Sequence, residues 1–548
     1  MVEPPMVEPM SHPRSTDIGL GRRRFLGQAG GAVAGLVAAP ALVGCVGPGR
    51  SWPEGDPFSL GVAAGSPSPD GFVLWTRLAP VPLAPDPATP GGMTGPAVPV
   101  AYEIAADSAL RQIVRRGVAT AEPAFAYAVH VEVAGLAPGR PYWYRFTSGD
   151  AASRIGRAMT LPAPGPGPER LRLAVASCAN YEQGYFAAYR HMADEAPDLA
   201  VFLGDYIYEY VNRRPGATVR RHSDGVEAAT LPTYRNRYAQ YRLDPDLQRL
   251  HAEVPALVTW DDHEVQNDYA DQWSQTFDDP KQFLLRRAAA YQAYYEHMPL
   301  RPSWSRPAGP AMRVYDRFAF GQLAEITMLD GRQYRSPQAC YRKPDRGGGH
   351  LENDATCPER RDPARTLLGR AQEHWLYDGL AQSRARWNVI AQDVMMAQLI
   401  QKSADGGLGQ WTDSWGGYPA NRDRLLNHLR DARVANPVVL SGDIHSYWTN
   451  DLTLNFDDPH SPLVATEFIT TSITAFPPPY DAFVELLPFN PHVRFFESRR
   501  RGYTMVEIGT ERLTARFRAI SDGKDPNATV STLKSFVIEN GRPGALPA

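Results

Sequence analysis

Four short segments of this 548-residue chain concentrate side chains that can bind cations and move protons. They are Ser177-Cys178-Ala179-Asn180, Gly204-Asp205-Tyr206-Ile207-Tyr208-Glu209, Trp260-Asp261-Asp262-His263-Glu264 with Asn267-Asp268-Tyr269, and Ser441-Gly442-Asp443-Ile444-His445. Carboxylate, imidazole, thiolate and phenolate are the groups that ligate metals. Several carboxylates brought together repel one another strongly unless cations sit between them. Any one segment has an ordinary alternative: Asp-x-His can be a capping Asp beside a core His, and Gly-Asp after a strand is a common turn. All four in order, each directly after an apolar run, point to a single metal cluster.

The runs that precede these segments, 171–176, 199–203, 256–260 and 437–440, read as buried strands, and open α/β sheets place ligands just beyond the carboxyl ends of their strands. Residues 184–195 carry Phe186, Tyr189 and Met192 at helical spacing between the first two strands, which makes a βαβ unit. Further strands are expected at 323–329 and 387–391, with helices at 281–296 and 367–382. The larger domain is therefore α/β with a mixed sheet, over residues 169–525, with 526–548 as a C-terminal tail. Ahead of it, residues 51–161 show short aromatic and β-branched runs broken by turns, the pattern of a small β-sandwich. The passage from Gly135 to Phe146 reads as strand, turn, strand, and a proline-glycine linker, 162–168, closes the module.

A net charge of −3 supplies no field that would hold a nucleic acid by counter-ion release, so no nucleic-acid partner is expected. At 43% hydrophobic and 21% charged residues, with 50 prolines and 46 glycines, the bulk of the chain is globular and rich in loops. Residues 1–50 read as an export signal: Arg22-Arg23-Arg24-Phe25-Leu26 precedes a glycine- and alanine-rich apolar run, 29–43, too short to span a bilayer. That pattern resembles a twin-arginine signal, which makes the export machinery a partner and the periplasm, the cell surface or the medium the destination. Leu42-Val43-Gly44-Cys45 resembles a lipobox, with Cys45 as a possible lipid anchor or an incidental cysteine. Cys340 and Cys357 flank a polar loop and suit a disulfide in an oxidising compartment, worth roughly 3 kcal/mol in the loop-entropy picture.

Together with Leu329-Asp330-Gly331-Arg332-Gln333-Tyr334-Arg335 and Asn388-Val389-Ile390-Ala391-Gln392, the four segments resemble the calcineurin-like metallophosphoesterases. The general pattern there runs Asp-x-His, Gly-Asp-x-x-Tyr, Gly-Asn-His-Glu, His and Gly-His-x-His. This chain has Ser177-Cys178 for the first motif, Asp262-His263-Glu264 for the third and Gly442-Asp443-x-His445 for the last, departures that match the PhoD-like alkaline phosphatases. The resemblance covers about residues 51–507.

It implies a four-layer αββα sandwich behind an N-terminal fibronectin- or immunoglobulin-like β-sandwich. It implies metal ligands at Cys178, Asp205, Tyr208, Asp262, Asn267, Asp443 and His445, with Asp205 as the bridge and Tyr208 as a tyrosinate. Thiolate and phenolate suit Fe(3+), although Cys178 is also the kind of small hydrophobe that ends a buried strand. Asp262 and Asp443 harden the second site toward Ca(2+), other divalent metals remaining open. The reaction implied is in-line attack on the phosphorus of a phosphate mono- or diester by metal-activated hydroxide, without a phosphoenzyme. His263 is the expected acid or phosphate contact, or else it orients Asp262. Asn180 and Arg332 are expected to touch the phosphate, the alternatives being a turn-former and a surface ion-pair partner. Rival functions are a phospholipase D-like diesterase and an inactive surface binding protein.

Overall fold

Continuous apolar runs of β-branched and aliphatic residues can be satisfied only where both faces of a strand are covered, and the central strands here are of that kind. In the computed structural model, which describes residues 50–548 apart from 85, 213–215, 217, 342–347 and 404–405, Leu199–Leu203 and Ala256–Thr259 are buried along their whole length. The export segment and Cys45 lie outside the described residues.

The fold is mixed α/β with several sheets. Arg170–Ala176, Leu199–Leu203 and Ala256–Thr259 run parallel at the centre of a ten-stranded sheet. A seven-stranded sheet has Ala324–Met328, Trp387–Ala391, Pro437–Ser441 and Leu463–Ile469 parallel at its centre. Leu173, Val175, Val201 and Leu257 of the first share one buried cluster with Ile326, Val389, Val438 and Phe468 of the second. The helices Ala187–Asp194, Leu231–Arg242, Pro245–Glu253 and Pro280–His297 share another cluster with the first sheet. Arg370–Gln382 and Pro419–Asp431 do the same with the second. The carboxyl ends of four central strands thereby lead into the four segments singled out above.

The N-terminal strands divide between two sheets. Val98–Ala105, Ile113–Ala121 and Pro141–Ser148 form a five-stranded sheet with two short strands, while Val62–Ser68, Gly71–Arg77 and Ala128–Val133 extend the large sheet. The junction is the pairing of Gly65 with Ala256, where a side chain at 65 would put a Cβ 2.8 Å from the Ala256 carbonyl oxygen. Only one strand, Pro141–Ser148, lies in the passage read as strand, turn, strand. Residues 526–548, expected as a tail, contain the strands Val530–Glu539 and Arg542–Pro547 at the edge of the large sheet, with Phe536 and Ile538 in its core. Among the described residues no helix is long and apolar enough to cross a membrane.

Candidate metal centre

Tight turns bring the strand ends together. Gly204 has φ +99°, and a Cβ there would lie 2.4 Å from the backbone nitrogen of Asp261. Immediately beyond the strands, Cys178, Asp205, Asp443 and His445 all adopt left-handed backbone conformations with φ of 60°, 52°, 66° and 55°. Each such residue costs on the order of 1–3 kcal/mol, and strain of this kind persists where the surroundings over-determine it. Cross-strand hydrogen bonds do so: Cys178 N donates to the Gly204 carbonyl at 3.3 Å and Ala179 N to that of Asp205 at 2.9 Å. Glu264, buried between two strand ends, accepts from the backbone nitrogens of Asp205, Tyr206 and Asp261.

Within this frame the ligating atoms converge. Donor atoms of Cys178, Asp205 and His445 lie within 4.8 Å of one another, as do those of Asp205, Asp262 and His263. Asp261, Asp262 and Asp443 form a third such set and Asp262, Asp268 and Asp413 a fourth. Asp205 belongs to the first two. Tyr208 sits beside the first set, its hydroxyl 2.8 Å from Asp205 Oδ2 and 3.0 Å from His445 Nε2. His445 Nδ1 lies 2.7 Å from the Phe476 carbonyl and must donate to it, which leaves Nε2 as an acceptor facing Asp205 and the Tyr208 hydroxyl. Burial lowers the pKa of His445 to about 4, so the ring stays neutral.

The electrostatics of the site ask for cations. Burial pushes Asp205 well above the carboxylate range; the His263 charge opposes this, and Asp262, Glu264 and Asp443 add to it. Asp443 is raised by burial to about 7 despite Arg332. Burial and the Asp205 charge also raise Cys178 and Tyr208. Asp261 Oδ2 and Asp262 Oδ1 are buried without a hydrogen-bond partner among the described residues. Buried acceptors left unpaired in a converging anionic set are what a metal satisfies, so the residues fit the group.

His263 is buried with its Nδ1 2.6 Å from Glu209 Oε2, its ring centroid 4.2 Å from that of Tyr208, and its backbone N–H turned to Asp205 Oδ1. Burial works against its protonation, but the Glu209, Asp262 and Asp205 carboxylates outweigh burial and hold its pKa well above the ordinary value. Asn267 is half-buried and its backbone N–H donates to Glu209 Oε1 at 2.8 Å.

The two expected phosphate contacts are both buried. Arg332 is no surface residue: it is fully buried, with Nε on Asp261 at 2.5 Å and Nη1 on Asp413 at 2.6 Å. Its Nη2 makes no hydrogen bond and lies 3.7 Å from Asp262 Oδ1 and 4.0 Å from Asp443 Oδ1. Asn180 is also buried, and its amide is engaged by the Glu182 N–H and the Tyr210 hydroxyl.

Glu209, Asp261 and Asp268 stand in the segments read from the sequence but had no assigned role; Asp413 follows no apolar run and had no signal. Cys340 and Cys357 are joined in a disulfide, and Cys178 is the free cysteine among the described residues. A cleft of about 820 Å³ beside Asp70, Glu132, Arg301 and Trp304 shares no residue with the centre.

A mixed α/β chain that gathers thiol, phenol, imidazole and carboxylates beyond its strand ends has the makings of a multinuclear metalloprotein. The model of the PhoD-like phosphatases matches residues 173–517, and the model of their N-terminal domain matches 44–162. The chain belongs to the PhoD-like phosphatase family. It is similar to alkaline phosphatase D of Bacillus subtilis (strain 168), with 43% identity over 539 residues, 95% of this chain and 88% of that protein. It is also similar to the solved structure of PhoD, with 43% identity and a TM-score of 0.83 over 90% of this chain and 92% of that one.

Proposed function

We propose that this chain is an exported alkaline phosphatase that hydrolyses phosphate mono- and diesters at a centre of iron and calcium. The observation that carries this reading is the sharing of Asp205 between two converging donor sets, with the lone pair of His445 Nε2 turned into one of them. Cys178, Asp205, Tyr208 and His445 would hold Fe(3+), the soft and phenolic donors suiting a trivalent ion. Asp262 and Asp443, with Asp205 and Asn267, would hold Ca(2+) with oxygen ligands. Bound cations supply Lewis acidity, acidifying water and neutralising phosphate oxygens.

The remaining steps belong to the chain. Glu209 fixes His263 through Nδ1, so its Nε2 is the atom left to give a proton to the leaving oxygen. The Nη2 of Arg332 faces the Asp262 and Asp443 pair and braces it. The overall architecture we propose is the four-layer αββα sandwich with an immunoglobulin-like N-terminal module, and the two clusters shared by sheets and helices support it. Export by the twin-arginine route to the periplasm, surface or medium, with Cys45 as a lipid anchor, rests on the sequence pattern alone. The test is turnover of 4-nitrophenyl phosphate and of bis(4-nitrophenyl) phosphate before and after chelation. Loss of both activities, restored by iron and calcium, is the expected result; full activity after complete chelation rejects the proposal.

A further inference from the structure

We propose that Tyr210 is a substrate contact of the metal centre, its hydroxyl donating a hydrogen bond to a phosphate oxygen of the bound ester, and that Asn180 and Gln183 serve to aim it. This rests on the phosphatase reading above. Tyr210 stands two residues beyond Tyr208 and is half-buried, with its ring centroid 5.3 Å from that of His263 and 5.5 Å from that of Tyr208. Its ring packs on the cluster formed by Cys178, Tyr208 and Ala475. The phenol is therefore part of the wall around the donor atoms of Cys178, Asp205 and His445.

The direction of its proton follows from its neighbours. Asn180 Nδ2 donates to the Tyr210 hydroxyl at 3.0 Å, and Gln183 Nε2 does so at 3.4 Å. Neither amide is free to turn over. Asn180 Oδ1 accepts from the Glu182 N–H at 3.1 Å, and Gln183 Oε1 accepts from the Phe476 N–H at 2.6 Å. Both amide nitrogens must then face the phenol, whose oxygen has two lone pairs and one proton. With two donors directed at the oxygen, and no acceptor for its proton among the described residues, the proton is left for a group from outside the chain. The ring that carries it borders His263, the residue proposed to protonate the leaving oxygen.

The phenol is also held from behind. Buried Arg237 donates through Nη1 to the carbonyl oxygens of both Tyr208 and Tyr210, the latter at 3.3 Å. Phe476, whose N–H fixes Gln183, offers its carbonyl to His445 Nδ1 at 2.7 Å. The Tyr210 hydroxyl and the His445 imidazole thus share one scaffold. Phosphate mono- and diesters carry anionic oxygens that take such a donor, and a hydrogen bond to a charged group corresponds to about 10–100-fold in affinity. The contact expected of Asn180 is in this way passed on to Tyr210.

The experiment measures inhibition of 4-nitrophenyl phosphate hydrolysis by inorganic phosphate, beside kcat, KM, metal content and visible spectrum. Metal-loaded full-length wild type is compared with Tyr210→Phe, Asn180→Asp and the double variant. Tyr210→Phe should raise KM and the phosphate inhibition constant together by about 10–100-fold, with metal content and spectrum unchanged. Asn180→Asp keeps the hydroxyl but turns a donor into an acceptor, which draws the phenol proton away from the substrate. It should weaken phosphate binding more in the wild-type background than in Tyr210→Phe, where only the added charge acts. A phosphate inhibition constant within about twofold of wild type in Tyr210→Phe overturns the contact, as do equal losses from Asn180→Asp in the two backgrounds. Wild type that is loaded with metal and shows no phosphatase activity overturns the phosphatase reading instead, a separate outcome.

Discussion

Asp205→Asn removes one charge and almost no volume, so its effect isolates what the shared carboxylate does. The amide keeps an oxygen to accept from the Tyr208 hydroxyl, 2.8 Å away, and leaves the buried turn after Leu199–Leu203 intact. What it loses is the negative charge common to the Cys178–His445 side and the Asp262–His263 side of the centre. Metal stabilisation of developing charge in ester hydrolysis is worth several kcal/mol. Forfeiting about 4 kcal/mol of it corresponds to roughly a 10³-fold fall in turnover, at 1.36 kcal/mol per factor of ten. The assay is kcat on 4-nitrophenyl phosphate beside metal content after desalting. Both should fall together, with the melting temperature of the apoprotein little changed. Stoichiometric metal with a rate within tenfold of wild type would refute the bridging role and the geometry built on it.

Tyr208→Phe keeps the ring against His263 and deletes the phenol oxygen, so the visible charge-transfer band expected of Fe(3+) phenolate should shift or bleach; an unchanged absorption spectrum counts against Tyr208 as a ligand. His263→Ala should keep its metals and lose about 10²–10⁴ in kcat, and Glu209→Gln should reproduce part of that loss because it unfixes Nδ1; metal loss in either variant would show a ligand role instead. His492 is buried on the Gln398 carbonyl at 2.7 Å, and burial lowers its pKa to about 4. Because the folded value lies below the unfolded one near 6.5, its contribution is whole above pH 6.5 and is lost as pH falls toward 4, by about 1.4 kcal/mol per pH unit. Chemical denaturation across that range should show a flatter slope in His492→Gln, and an identical slope would reject the assignment. Replacing Arg23 and Arg24 by lysine should leave active precursor in the cytoplasm, detected by fractionation, whereas normal export speaks against the twin-arginine reading.

The ligand-bearing strand ends were legible because the parallel strands before them are short, largely apolar runs, each followed at once by a segment of ligand-type side chains. Cys178, Asp205, Tyr208, Asp262, Asp443 and His445 are all brought together for that reason. Asp413 was not legible, since it comes after the short strand Leu408–Trp411, far in sequence from its partners Arg332 and Arg335. The surface alternative for Arg332 fails although an arginine is ordinarily solvated, because five surrounding carboxylates, Asp261, Asp262, Asp393, Asp413 and Asp443, make full burial tolerable. Asn180 is buried as well, and its side chain caps the turn Tyr181–Gln183. Phe536-Val537-Ile538 is an aromatic and β-branched run of the kind that marks a strand, a signal the expectation of a tail passed over. The joining of the N-terminal strands to the large sheet depends on one glycine, Gly65, which no periodicity reveals.

Elemental analysis of wild-type protein exported by its native host, read beside its visible spectrum and its phosphatase activity, tests the central claim most directly. A coloured protein with stoichiometric iron and calcium, whose activity and colour disappear together on chelation and return with the two metals, is the predicted result. Fully active protein that is colourless and free of bound metal would contradict it.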